Sequence, residues 1–216
     1  MTNVNRLAFT LTEVLITLGI IGVVAAMTIP NLVTKIQDAQ FKTAAKKAYA
    51  VTGQAFKSMQ DDGKTLEDYC SNPKTFKEEF MTYFKVAQDC GLQNCVRGGY
   101  NSDIYKTLNG EKADASLLDE GQFTTLDGQF FMIQNSGYNK WLFITVDVNG
   151  YKSKPNVWGR DVFTFWVDNT GNLRPMGSPD SIWPAKKSCD RKKSLNSAGP
   201  IQGIGCMYNV INNVDY

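Results

Sequence analysis

Hydrophobic positions change their rhythm along the chain. From Phe9 to Ile29 the sequence reads FTLTEVLITLGIIGVVAAMTI, and no charge interrupts it after Glu13. About 20 such residues are enough for a helix to cross a bilayer. Beyond Pro30 the apolar residues thin to a stripe. Leu32, Ile36, Ala44, Ala48, Ala55, Phe56 and Met59 recur at helical spacings, while Lys35, Asp38, Lys42, Lys46 and Lys57 lie mostly on other faces. That is the pattern of an amphipathic helix packed on a core. Gly63, after Asp61-Asp62, supplies a stop. One long helix is therefore predicted, with a membrane-spanning half over 9–30 and an amphipathic half over 31–62 that lies on a sheet. Pro30 has no N–H to give the Ala26 carbonyl, so a kink or local melting is expected there. Gly19 and Gly22 permit close approach of another helix.

From 63 to 121 the pattern is irregular. Pro73 to Gln88 predicts a short helix with Phe76, Phe80, Tyr83 and Phe84 on one side. At Gln122 the period becomes two. Phe130, Met132 and Gln134 alternate with Phe131 and Ile133, and the stretches Trp141–Val148 and Val162–Val167 are aromatic and β-branched. Asp127-Gly128 and Asp168-Asn169-Thr170-Gly171 are turn signals. Three or four antiparallel strands over 122–177, packed on the long helix, make an α+β fold. Residues 178–216 are rich in Gly, Pro, Ser and Asn and read as a loop region that needs tying down.

Composition narrows the function. The 216 residues suit one globular domain plus an appendage. A net charge of +2 with mixed signs gives no nucleic-acid surface. The chain has no histidine, which excludes Ser-His and Cys-His nucleophiles and His-ligated zinc. No nucleotide, phosphate or acyl-transfer motif appears, so no enzyme is expected. Tyr100, Tyr105, Tyr138 and Trp183 serve either ligand contact or ordinary packing. Five cysteines read as disulfides with one thiol left over in an oxidising compartment. Cys90 and Cys95 flank a turn containing Gly91 and can close a small loop; Cys70 with Cys90 is an alternative. Asp147-Val148-Asn149-Gly150, Asn156 and Asp161 offer hard oxygens near a turn, which makes calcium the one candidate cofactor. The full D-x-D-x-D-G spacing and its distal glutamate are missing, and Asp, Asn and Gly are also what turns require. No metal-ligating set is assigned.

Glu13 is the anomaly in the apolar run. A carboxylate at mid-membrane costs about 2.5–3.5 kcal/mol, less near an end, and persists where it has a partner. It can stay wet at the headgroups. Alternatively, a chain cut before Phe9 would carry a new α-amine one helical turn from Glu13, and the two charges could pair between neighbouring subunits.

The segment Ala8-Phe9-Thr10-Leu11-Thr12-Glu13, its apolar run and Pro30 resemble the class III signal of type IV prepilins and type II secretion pseudopilins. The likeness covers roughly Arg6 to Leu32, and glycine is usual where Ala8 stands. It implies that residues 1–8 are a leader, cut between Ala8 and Phe9 by a prepilin peptidase that also methylates the Phe9 amine. It further implies an assembly role for Glu13, a kink at Pro30, and a pilin-like fold with a carboxy-terminal disulfide loop, here Cys189 with Cys206, leaving Cys70 over. Some pseudopilins bind calcium in a loop between strands. The implied function is that of a pilin or pseudopilin subunit of a type IV pilus-like or type II secretion filament. Its partners are copies of itself or other pilins, and an inner-membrane assembly platform. The implied location is the bacterial inner membrane, crossed once with the carboxy-terminal domain outside the cytoplasm, and then a filament in the periplasm or on the cell surface. Arg6 against Lys35, Lys42, Lys46 and Lys47 counts for the opposite orientation, but long domains translocate regardless of charge and the cysteines suit oxidation. Three alternatives compete. A secretory signal cut after Val24-Ala25-Ala26 is opposed by Glu13 and by the helical pattern continuing past Pro30. A plain single-pass anchor is the second. The third is a membrane-anchored extracytoplasmic binding protein or adhesin that does not polymerise.

Overall fold

The computed structural model describes residues 10–99, 102–136, 141–190, 192 and 201–216. The chain divides into two units, Met1–Gln40 and Phe41–Tyr216. Helix α1, Leu11–Asp61, supplies residues to both.

In the first unit every described residue from Leu11 on is helical. Large apolar side chains such as Leu15, Leu18, Ile20, Ile21, Val23 and Met27 are exposed. The hydroxyls of Thr17, Thr28 and Thr34 donate back to the carbonyls of Val14, Val24 and Pro30 at 2.9–3.0 Å. Polar atoms in an otherwise apolar segment are thereby satisfied within the helix itself. Residues on both sides of Pro30 are helical, so the expected local melting does not occur.

In the second unit α1 ends where the glycine signal placed it. Gly63 takes a left-handed φ of 85°. Its N–H donates to the Gln60 carbonyl at 2.9 Å, and that of Lys64 to the Met59 carbonyl at 3.0 Å. Those two bonds are the Schellman closure, which satisfies carbonyls the helix end leaves open. Two short helices follow, α2 (Leu66–Ser71) and α3 (Pro73–Met81). Thr65 and Asp68 form a capping box at the start of α2, and Asn72 caps α3 with Pro73 in its first turn. The single helix expected over Pro73–Gln88 thus stops at Met81, and Gln88 lies in a strand.

Strands β1 (Val86–Asp89), β2 (Gly121–Thr125), β3 (Phe130–Ser136), β4 (Trp141–Asp147), β5 (Val162–Val167) and β6 (Leu173–Pro175) form one antiparallel sheet in sequence order. Six strands replace the three or four expected, because β1 and β6 are too short and too polar to announce themselves. The turns at Asp127-Gly128 and Asp168–Gly171 stand where they were predicted, with Gly128 and Gly171 at φ 86° and 83°.

Both faces of the sheet are covered. On one face Phe123, Phe131, Ile133, Ile144, Val146 and Phe165 pack with Ala45, Ala48, Ala55, Phe56 and Met59 of α1 and with Phe76 and Phe80 of α3. On the other, Phe130, Met132, Phe143 and Val162 pack with Tyr105, Leu118, Trp158, Ile201 and Ile204. Burial on both sides explains why β3 and β4 read as FFMI and LFITV rather than as apolar–polar alternation. The stripe on α1 reaches the sheet from Ala44 onward, whereas Leu32 and Ile36 belong to the first unit and are exposed. The described residues of the carboxy-terminal region include two short helices. Helices α4 (Ala185–Ser188) and α5 (Cys206–Ile211) lie there, and Met207 and Val210 enter the helix-side core.

Candidate functional site

The amino-terminal helix carries the first candidate site. Ala8 and Phe9, the predicted cleavage and methylation positions, lie outside the described residues, as do Tyr100 and Tyr138. Glu13 is described, and its carboxylate has a partner the sequence reading missed. The Thr10 N–H and hydroxyl donate to Glu13 Oε2 at 2.8 and 2.7 Å, and the Glu13 N–H donates to Thr10 Oγ1 at 3.3 Å. This is a reciprocal capping box, legible as Thr-x-x-Glu ahead of an apolar run. It accounts for an acid at this position in any helix that starts at Leu11. α1 is long and apolar enough to cross a membrane.

The cysteines are placed by the second unit. Cys90 pairs with Cys95 and Cys189 with Cys206, so the Cys70–Cys90 alternative is not formed. Cys70 is buried in the helix-side core, outside both bridges.

The loop between β4 and β5 brings the proposed oxygen ligands together. Asp147 and Asp161, at its two ends, are both fully buried. Asp161 accepts the N–H groups of Asn156 at 2.8 Å and Val157 at 2.7 Å. Asp147 accepts the Tyr105 hydroxyl at 3.0 Å and the Asn149 N–H at 3.3 Å. Asn156 sits at φ 57°, a left-handed conformation that asparagine tolerates. Burial pushes the Asp147 carboxyl up to about 7, and the neighbouring Asp161 adds to the rise. Burial also raises Asp161, against the backbone N–H groups of Val157 and Asn156, which favour its charged form. Tyr105 is raised by burial and by Asp147.

Each carboxylate oxygen already accepts a hydrogen bond, and among the described residues no group of three His, Cys, Asp or Glu side chains could hold an ion. The buried Oδ1 atoms of Asn149 and Asn156 lack hydrogen-bond partners. The acidic pair is first of all a structural device that ties the loop to the sheet.

A third feature was not anticipated. A cleft of about 760 Å³ lies in the carboxy-terminal region, lined in part by Pro179, Pro184, Lys186, Tyr208, Val214 and Tyr216. Of the aromatic residues singled out for ligand contact, Tyr105 is buried on Asp147 and Trp183 packs on Phe143 with ring centroids 5.4 Å apart. Compared with protein-family models, curated proteins and solved structures, the chain matches none.

Proposed function

We propose that this chain is a structural subunit of a pilin or pseudopilin type, anchored in a membrane by α1 and polymerised through it, with no catalysis of its own. The observation that carries this reading is the first unit, a helix whose large apolar side chains are exposed around its circumference. Fully burying such a side chain is worth about 1.5–3 kcal/mol, so a surface of this kind belongs in lipid or against other helices. Glu13, the one acid of the apolar run from Phe9 to Ile29, stands at the capped helix start, where the cost of immersion is least. On this reading the precursor is cut between Ala8 and Phe9, the Phe9 amine is methylated, and Glu13 pairs with the amine of a neighbouring subunit in the filament. Thr10 and Glu13 both lie after the cut, so the capping box survives processing. The second unit stands outside the cytoplasm, where the two disulfides can form.

Mass analysis of protein recovered from a host with a prepilin peptidase tests the reading. Phe9 is the expected first residue, carrying a methyl group. A chain beginning at Met1, or at Met27 after a secretory cut, overturns it. Glu13→Ala is expected to be processed and folded but to enter filaments poorly; normal incorporation would remove the role given to Glu13.

The carboxy-terminal cleft favours a second reading, a tethered binding protein that does not polymerise. A photo-crosslinking residue at Ile21 separates the two, since self-crosslinks through the helix are expected only from a subunit that assembles.

A further inference from the structure

We propose that Cys95 is a thiol-capture site: an incoming thiol opens the Cys90–Cys95 bridge at Cys95 and stays there as a mixed disulfide, while the fold around the loop holds. The inference is independent of what the amino-terminal helix does.

The two bridges differ in access. Cys95 is half-buried and lines a cleft of about 860 Å³ together with Gln93, Asn94, Arg97 and Ile104. Its partner Cys90 is buried with Val96 and Leu118 in the core on the second face of the sheet. One sulfur of this bridge is thus open to attack and the other is not. The carboxy-terminal bridge presents neither. Cys206 is fully buried, and Gly159 packs on it so closely that a Cβ there would lie 2.7 Å from the sulfur. Cys189 borders the carboxy-terminal cleft but is buried, and its sulfur accepts the Asn209 side-chain amide at 3.6 Å. Exchange requires a thiolate to reach a bridge sulfur, so access selects Cys95. The exposed Arg97 guanidinium on the same cleft favours the thiolate form of the incoming group.

The loop keeps its ends in place without the bridge. The Cys90 N–H donates to the Gln122 carbonyl at 3.0 Å, and the Gln122 N–H to the Gly91 carbonyl at 2.9 Å. Asp89 Oδ1 accepts the Gly91 N–H at 2.8 Å. At the other end the fully buried Gln122 side chain holds both backbone groups of Val96. Its Oε1 accepts the Val96 N–H at 3.0 Å, and its Nε2 donates to the Val96 carbonyl at 2.7 Å. A further bond from Nε2 to the Leu118 carbonyl at 2.9 Å fixes the amide. With both ends pinned to β2, opening frees the tip at Leu92, Gln93, Asn94 and Cys95, of which the first three are already exposed.

The exchange balances. The incoming thiolate sulfur bonds to Cys95 Sγ, the bond between Cys95 and Cys90 breaks, and its electron pair leaves on Cys90 Sγ, which takes a proton from water. Apolar burial favours the neutral thiol. A protonated thiol is a poor nucleophile, so Cys90 is slow to expel the captured group. A dithiol goes one step further. Its second sulfur attacks its first, releases Cys95 as a thiolate that is then protonated, and departs as a cyclic disulfide.

Mass mapping on the full chain in detergent micelles tests the site. The chain is incubated with glutathione, trapped with excess maleimide in denaturant and digested without reduction. The glutathione adduct is expected on Cys95 and the maleimide on Cys90, with Cys189–Cys206 intact. Under dithiothreitol the Cys90–Cys95 bridge should open at least about tenfold faster than the carboxy-terminal one. In the dithiothreitol-treated chain, hydrogen exchange should lose protection at Asn94, whose N–H donates to the Cys90 carbonyl at 2.9 Å, and keep it at Val96 and Gln122. Cys90→Ser leaves Cys95 as a free thiol and is expected to exchange readily with glutathione disulfide, whereas in Cys95→Ser the remaining Cys90 is expected to stay unmodified. An adduct on Cys90, opening of the carboxy-terminal bridge first or at an equal rate, or loss of protection at Val96 and Gln122 together with Asn94 would each overturn the proposal.

Discussion

The two stretches of α1 use apolar side chains in opposite ways. From Leu11 to Gln40 the large ones, Leu15, Ile20, Ile21 and Met27 among them, are exposed. From Phe41 to Asp61 the buried positions are mostly small, Ala45, Ala48, Thr52 and Ala55, joined by Phe56 and Met59 near the end. The first stretch is the more hydrophobic, yet its large side chains are the exposed ones. What makes a helical residue part of a core is a partner surface from the same chain. The sheet gives α1 that surface through the side chains packed against its alanines, and Phe56 anchors it among Tyr69, Phe76 and Phe80 with ring centroids 5.5–6.1 Å apart.

Substitutions in the two stretches should therefore differ most. Phe56→Ala is expected to lower the unfolding free energy of the second unit by about 3–5 kcal/mol, measured by denaturant titration of tryptophan fluorescence. A loss below about 1 kcal/mol would mean that the aromatic cluster collapses to fill the space. Next in size is the carboxy-terminal bridge, whose cysteines are 17 residues apart. Replacing Cys189 and Cys206 together by serine should cost about 3 kcal/mol on the chain-entropy account and release α5 first, which limited proteolysis would show as cleavage within 185–216. Thr65→Ala removes the capping box of α2 and should cost about 1 kcal/mol in the same titration. At the bottom of the scale, Leu18→Ala should leave that titration within about 0.5 kcal/mol of the parent. A larger effect would mean that the second unit leans on the first and would break the comparison.

Much of this was readable from residue order. The length of α1, its stop at Gly63 and the turns ending in Gly128 and Gly171 were legible because each rests on a local rule, either a long period or a backbone angle that glycine adopts freely. Strands β3, β4 and β5 were legible because they are strongly apolar. The failures are where distant residues decide. Val86-Ala87-Gln88-Asp89 is a strand only because β2 lies alongside it. The break between α2 and α3 is written in Asn72-Pro73, a cap followed by a first-turn proline, and was overlooked. Helices α4 and α5 are held by Met207 and Val210 reaching the core and by a bridge, neither visible in a Gly- and Asn-rich composition. At the candidate sites, Glu13 stood out as an acid in an apolar run, but its bond to Thr10 needed the capping rule. Asp147 and Asp161 were noticed for their oxygens, while their burial, which sets their chemistry, depends on Tyr105 arriving from 42 residues away.

The margins of the sheet carry one more consequence. β1 is four residues long, mostly exposed, and slips register between Val86 and Gln88; β6 is three residues long and ends at Pro175, which has no N–H to offer. Short, irregular or proline-ended borders deny an incoming strand the row of free peptide groups it would need as a template. If many copies of this chain are crowded together along a filament, as proposed, these borders discourage their sheets from zipping into one another, and cohesion is left to the apolar rods.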